Sequence, residues 1–251
     1  MSRLAGKHAI ITGAGRGIGK AIAQKFLQEG AEVAICDLVQ GRLEQAATDL
    51  EKHGDVHAFA GDVADQRFCD ALVTQTLDRF GQLDILVNNA GIGYFKPFLT
   101  HSETEWDETM AVNLKSMFLL GQRAARVMKE QGEGGVILNM ASTNGHAGEQ
   151  QLAAYNASKA GVILLTKTMA AELGPYGIRV NCVSPGFILT ELAREAGADE
   201  AYIAAYTEKI PLKRYGTPED VANLYAFLAS EEASFISGVS VIIDGGQLAE
   251  G

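Results

Sequence analysis

The chain has 251 residues, of which 47% are hydrophobic and 21% charged, the composition of a folded globular protein with room for a large core. Its net charge of −10, with no cluster of Lys or Arg to offset it locally, would repel a phosphate backbone and argues against a nucleic-acid partner. Cys36, Cys69 and Cys182 are an odd, widely spaced set, and five scattered histidines include no H-E-x-x-H, so neither a disulfide framework nor a metal site is signalled.

In chain order, MSRLAGKHAIITGAG runs straight into a strand pattern with no signal-peptide apolar region, and no later apolar stretch reaches membrane-spanning length. A cytoplasmic protein with no membrane partner is expected. The first strand, HAIITG, passes through Gly13, Ala14, Gly15, Arg16, Gly17, Ile18 and Gly19 into a helix expected near 17–30. Such a glycine-rich turn lets a diphosphate approach backbone amides at a helix N-terminus. The strict G-x-G-x-x-G pattern fails, because Ile18 stands where its third glycine belongs; the spacing is T-G-x-x-x-G-x-G. The second strand, AEVAICD, ends on Asp37, followed by Leu38, and a carboxylate there can accept hydrogen bonds from the adenosine ribose hydroxyls. It would also repel a 2′-phosphate, so NAD is expected in preference to NADP. Arg16 is the contrary signal, since a guanidinium in the glycine turn could contact that phosphate.

Further strands are read at DVHAFAGD, LDILVNNAG, GGVILNMAS, GIRVNCVSPG and SVIIDGG, with helices near 40–53, 65–80, 105–131, 152–174 and 217–230. Gly30, Gly81 and Gly174 stand where C-terminal caps belong, and Thr217-Pro218-Glu219-Asp220 has the form of a helix start. Seven apolar strands alternating with helices predict a doubly wound parallel sheet, buried on both faces, in a single α/β domain over 1–251. The segment 187–216 interrupts the alternation and is either a lid over the ligand edge of the sheet or a packed helical excursion.

Ser142 follows the fifth strand and would emerge at its carboxyl end, where open α/β sheets bind ligands. Tyr155 and Lys159 lie four apart on the next helix and therefore share a face. A tyrosine is a poor base at neutral pH, but a nearby ammonium favours the phenolate, so Lys159 could make Tyr155 a usable acid/base group. Taken alone, the pair equally fits an exposed helical contact, with Ser142 a loop residue. Between them run Asn144, His146, Glu149 and Gln151, whose polar groups suit a polyhydroxylated ligand better than a steroid or acyl chain, unless they merely face solvent. Tyr94, Phe95, Phe98 and Tyr202 could form an apolar counterface; Phe95 and Phe98 equally fit a core role.

The ordered set of T-G-x-x-x-G-x-G at Thr12 to Gly19, Asn88-Asn89-Ala90-Gly91, Ser142, and Tyr155-x-x-x-Lys159 resembles the short-chain dehydrogenase/reductase family over essentially the whole chain. Asp62-Val63, Asn113, Asn181, Pro185-Gly186 and Asp244-Gly245-Gly246 are further matches. The resemblance implies a Rossmann-like fold, NAD or NADP as cofactor, an alcohol or ketone as substrate, and a homotetramer. It implies that Tyr155 exchanges the hydroxyl proton, Lys159 lowers its pKa and bonds the nicotinamide ribose, and Ser142 orients the reacting oxygen. Asn113 would hold a water joining Lys159 to solvent. Asp62 and Val63 would contact adenine, Asn89, Ala90 and Gly91 would wall the adenosine side, and Ile188 and Thr190, after Pro185 and Gly186, would bond the carboxamide and phosphates. The expected activity is an NAD-dependent dehydrogenase of a sugar, polyol or similar polar secondary alcohol. The alternatives are an NADPH-dependent ketone or 3-oxoacyl reductase and a non-catalytic dinucleotide sensor.

Overall fold

The computed structural model describes residues 2–195 and 197–250. Seven parallel strands form one sheet: β1 (His8–Thr12), β2 (Glu32–Asp37), β3 (Val56–Ala60), β4 (Ile85–Asn88), β5 (Gly135–Met140), β6 (Ile178–Pro185) and β7 (Ser240–Ile243). Their spatial order is β3-β2-β1-β4-β5-β6-β7, so the winding reverses between β1 and β4 and opens a crevice at the carboxyl ends of those two strands. The helices are α1 (Gly17–Gln28), α2 (Gln40–Leu50), α3 (Gln66–Phe80), α4 (Glu103–Met110), α5 (Ser116–Gln131), α6 (Ala153–Leu173), α7 (Glu191–Glu195), α8 (Glu200–Thr207) and α9 (Pro218–Ala229).

Neighbouring residues of each central strand point to opposite faces, which is why the strands read as unbroken apolar runs. Ile11, Ile35, Val87 and Leu138 pack with Ile22 and Phe26 of α1 and Val221 and Tyr225 of α9. Their neighbours Ile10, Ala34, Leu86 and Ile137 pack with Leu72 of α3 and Leu120 and Met128 of α5. The two cores thus sandwich the sheet. The edge strands depart from the expected double burial: β3 and β7 contain no fully buried residue, because each lacks a neighbour on one side.

Three local details differ from expectation. The helix foreseen over 105–131 begins two residues earlier, at a capping box of Ser102 and Glu105, and is interrupted by a π-turn over Ala111–Lys115. Gly174 is not left-handed (φ −53°); α6 leaves through a short 3₁₀ turn that ends on Gly177 at φ 73°. The Thr217 start is a full capping box, with Asp220 N–H donating to Thr217 Oγ1 and Thr217 N–H to Asp220 Oδ2, and Pro218 in the first turn. The segment 187–216 carries α7 and α8; its two ends are joined to each other by a parallel bridge between Ile188 and Gly216, and Leu212 N donates to Gly245 O beyond β7 (3.2 Å). Ala196, inside it, lies outside the described residues. All three cysteines are buried thiols. Among the described residues, no helix is long and apolar enough to cross a membrane.

Candidate active site

The turn between β1 and α1 opens into the crevice. Arg16 is the N-cap of α1, yet no side chain caps that helix and its first turn holds no acidic residue, so its free N–H groups and positive dipole end suit an anion. Gly17 adopts φ 55°, and a Cβ built there meets nothing closer than 3.6 Å. That open space and those free amides fit a diphosphate. The wall opposite is held by Thr12 and Asn89: Thr12 Oγ1 accepts from Asn89 N and Ala90 N, both at 3.0 Å, while Asn89 Nδ2 donates to Thr12 O at 2.9 Å. Asn89 therefore braces the glycine turn, and Thr12 is a positioning residue that sequence reasoning left unassigned.

Asp37 is buried at the end of β2. Its Oδ2 accepts from Gly15 N (3.1 Å), and its Oδ1 accepts from Val39 N (3.1 Å) and from Arg42 Nη2 (2.5 Å). The carboxylate is therefore not a free anion: Arg42, in the first turn of α2, pairs with it and weakens the repulsion of a 2′-phosphate from which NAD is expected. Arg42 was missed, although its signal was in the sequence: a base five residues after a strand-end acid, where a following helix brings it back over the strand. Arg16, the other cation of this region, pairs with Glu195 of α7 at 2.5 Å. Leu38 lies beside Asp37 with most of its side chain in solvent. Asp62 turns back to Ala64 N (2.8 Å), next to the buried Val63.

Across the crevice, β5 ends at Met140 and the chain turns at Ser142, while α6 presents Tyr155 and Lys159 from its first two turns. Lys159 is fully buried, and its Nζ donates to Met140 O at 2.7 Å. Burial pushes its ammonium down to about 8. The Tyr155 phenol is raised: burial is the main cause, the charge of Glu149 adds to it, and the Ser142 hydroxyl opposes it. In the chain by itself burial acts on both groups in opposite directions, raising the phenol and lowering the ammonium. Lys159 Nζ lies 5.4 Å from the centre of the Tyr155 ring. A phenol, a hydroxyl and an amine converging at a sheet's carboxyl edge can pass a proton to or from a bound oxygen.

Asn113 sits in the π-turn and is fully buried. Its Nδ2 donates to Ile92 O (2.8 Å) and Ser158 Oγ (3.1 Å), and its Oδ1 accepts from Ile92 N (2.8 Å). Ser158 Oγ in turn donates to Tyr155 O (2.7 Å). Asn113 thus clamps the 91–93 loop to the catalytic end of α6. Gly93 lies close beneath that clamp: a Cβ there would stand a tight 3.2 Å from Cδ2 of Tyr155.

The loop from Ser142 to Tyr155 divides its residues between two places. Asn144 N donates to Ser142 Oγ (3.2 Å), and Asn144 Nδ2 donates to Glu149 Oε2 (3.0 Å) and Asn156 Oδ1 (3.1 Å). His146, expected at the substrate, is instead tethered through Nε2 to Ser184 Oγ (3.1 Å) and Ser240 Oγ (3.0 Å) on β6 and β7. Gln151 is exposed at φ 66°, and its carbonyl accepts from Lys96 N at 2.9 Å. Of the aromatic candidates, Tyr202 joins Phe187 and Tyr206 in a stack, with ring centres 4.5 to 6.0 Å apart. Tyr94 donates to Glu108 (2.6 Å), and Phe95 and Phe98 are exposed, which removes them from the core. Thr143 Oγ1 donates to Pro185 O (3.2 Å), Gly186 follows at the end of β6, Ile188 is buried, and Thr190 Oγ1 accepts from Ala193 N (3.2 Å) to start α7.

Comparison with known proteins adds a second line of evidence. A family model described as enoyl-(acyl carrier protein) reductase matches residues 13–247. The chain is 42% identical to D-threitol dehydrogenase of Mycolicibacterium smegmatis over 97% of its own length and 94% of that protein's. It is 40% identical to a 3-oxoacyl-(acyl-carrier-protein) reductase of Staphylococcus aureus, covering 96% of the chain and 97% of the relative. A crystal structure of a short-chain type dehydrogenase/reductase from Mycobacterium marinum superposes with a TM-score of 0.92 at 40% identity, covering 97% of this chain and 96% of that one.

Proposed function

This chain belongs to the short-chain dehydrogenase/reductase family, and we propose that it is an NAD-dependent dehydrogenase of a sugar, polyol or similar polar secondary alcohol. It is an NAD(P)-dependent oxidoreductase acting on alcohol or ketone groups; the choice of NAD and of a polar alcohol is the step proposed. The observation that carries it is the join between chemistry and recognition: Ser142 and Asn144 share a hydrogen bond, and Asn144 continues into Glu149 and Asn156. A site lined this way leaves polar groups unpaired against an acyl chain.

Tyr155 takes the alcohol proton in oxidation and returns it in reduction, and Ser142 holds the reacting oxygen. Lys159 carries the positive charge that stabilises a phenolate once both are in contact with ligand, and it bonds the nicotinamide ribose. Asn113 holds the loop and helix together and keeps one Oδ1 lone pair for the water that the family pattern expects. The nicotinamide, when bound, supplies the hydride acceptor or donor at its C4. The free amides of α1 with Gly13, Gly15, Gly17, Ile18 and Gly19 cradle the diphosphate. Asp37 and Leu38 meet the adenosine ribose, Asp62 and Val63 the adenine, Ala90 and Gly91 the wall opposite, and Pro185, Gly186, Ile188 and Thr190 the nicotinamide side. The segment 187–216 acts as a lid, tied to the cofactor turn by the Arg16–Glu195 pair.

One observation favours the second reading, an NADPH-dependent ketone or 3-oxoacyl reductase: Arg42 already offsets the charge of Asp37, and its Nε is buried without a partner among the described residues. The two are separated by kcat/KM for NAD and NADP on polyols and on 3-hydroxyacyl thioesters. A preference for NADP with thioesters overturns the first. A homotetramer is supported by the apolar groove along α4, α5 and α6, where Met110, Leu114, Phe118 and Leu165 meet solvent, and by exposed Val239 and Ile242 at the β7 edge.

A further inference from the structure

We infer that Glu149 selects the substrate: its carboxylate accepts a hydrogen bond from a hydroxyl on the carbon beside the reacting carbinol, so the site takes neutral vicinal diols and turns away substrates with an anionic group there. This inference rests on the alcohol-dehydrogenase reading above and narrows its substrate class.

Glu149 is half-buried, and its carboxylate is held in place rather than free. Oε2 accepts from Asn144 Nδ2 (3.0 Å), and the Glu149 main-chain carbonyl accepts from Asn156 Nδ2 (2.8 Å). Asn144 and Asn156 are themselves joined at 3.1 Å, so the loop is cross-braced to the first turn of α6. At its far end, Gln151 is fixed in the left-handed region with its carbonyl bonded to Lys96 N. Asn144, which clamps the carboxylate, also donates its backbone N–H to the Ser142 hydroxyl. The carboxylate is therefore two hydrogen bonds from the hydroxyl that is to hold the reacting oxygen.

No Lys, Arg or His among the described residues forms an ion pair with Glu149, and no described residue bonds its Oε1, so one oxygen remains available to a ligand. Its negative charge contributes to the raised phenols of Tyr155, Tyr202 and Tyr206 alike. The group is thus within electrostatic reach of the proton-transferring tyrosine and of Tyr202 and Tyr206 in the lid segment, and it is tied through Asn144 to Ser142. A ligand held at Ser142 meets a fixed carboxylate without an ion-pair partner among the described residues. A neutral hydroxyl donor there gains a charge-assisted bond, whereas a second anion is repelled in a site of low dielectric. In the reaction, the carbinol C–H leaves as hydride to the oxidised cofactor, its O–H proton goes to Tyr155, and the diol becomes an α-hydroxy ketone. The hydroxyl bonded to Glu149 is unchanged.

The test is the NAD-linked oxidation of 2,3-butanediol, 2-butanol and 3-hydroxybutyrate by the wild type, Glu149→Gln and Glu149→Ala. Gln keeps the acceptor for Asn144 and removes the charge; Ala removes both. The wild type should prefer the diol to the mono-alcohol by about tenfold or more in kcat/KM, the yield of one charge-assisted hydrogen bond. Glu149→Gln should reduce that ratio about tenfold and raise kcat/KM for 3-hydroxybutyrate by a similar factor. Unchanged ratios in both variants of an enzyme that oxidises the diol overturn the role of Glu149 alone. A wild type that oxidises none of the three, but reduces 3-oxoacyl esters with NADPH, overturns the functional reading and this inference with it.

Discussion

Replacing Lys159 with methionine should make the apoprotein's stability less dependent on alkaline pH, while removing turnover. Lys159 is 2% exposed, and its ammonium has a single acceptor among the described residues, Met140 O at 2.7 Å, for three N–H donors. Burial brings it from 10.5 to about 8. A base whose folded value lies below its unfolded value destabilises the fold while both states are protonated, and this cost vanishes once pH exceeds the unfolded value. At pH 7 the cost is about 3 kcal/mol, and at pH 10 it has fallen to about 1 kcal/mol. Methionine fills similar space without charge, so it removes the pH-dependent cost. It also leaves the Met140 carbonyl unbonded at every pH, which costs about 1–3 kcal/mol. The absolute difference between the proteins at pH 7 is therefore small. Its change with pH is diagnostic: relative to the wild type, the variant should lose about 2 kcal/mol between pH 7 and pH 10. Urea titrations of both apoproteins at pH 7, 8.5 and 10 measure this directly, since every other titrating group is common to both. A constant difference across that range would refute the assignment of a desolvated, weakly paired ammonium to position 159.

Tyr155→Phe should lower kcat by about 10²–10⁴-fold while leaving NADH affinity within about twofold, measured by steady-state rates and fluorescence titration; a rate within tenfold of wild type removes Tyr155 from proton transfer. Arg42→Ala strips the counter-charge from Asp37 and should raise the NAD to NADP ratio of kcat/KM by about tenfold, with Asp37→Ala moving it the opposite way. Equal ratios in all three proteins would show that this pair does not read the ribose. Thr217→Ala deletes one half of the capping box on α9, which packs against α1, and should cost about 1 kcal/mol, or about 2–4 °C in melting temperature. An unchanged Tm would mean that Pro218 and Asp220 suffice to start the helix.

The features legible in the sequence are those that a local period or a neighbouring residue determines. Continuous apolar runs give the central strands, because a strand covered on both faces has no polar side to show. Thr217, Pro218 and Asp220 announce their helix start within four residues, and Tyr155 and Lys159 share a face by their spacing alone. The missed features depend on where separate elements meet. Arg16 finds Glu195 across 179 positions, and nothing local to either residue foretells it. His146 stands in the polar loop beside Asn144, yet its ring is drawn to serines 38 and 94 positions away on β6 and β7. Whether a polar loop residue faces ligand or sheet is settled by backbone turns such as that at Gln151, which composition does not encode. The state of Tyr155 illustrates the same limit: the sequence supplies a cation four residues away, but the rise of the phenol comes from burial, which no local pattern encodes.

The π-turn at Ala111–Lys115 has a consequence for how the gene for this chain can vary in length. A π-turn holds one residue more than an α-helix of the same span, and each residue added or removed turns everything beyond it by about 100°. Insertions and deletions are ordinarily absorbed at surface loops. Here the chain carries a change of phase within a packed helix, and Asn113 reaches both Ile92 and Ser158 only in the present phase. A deletion of one codon inside this stretch would restore a regular helix and at once disconnect the 91–93 loop from α6. Helical regularity and a working site are therefore competing outcomes at this point in the chain.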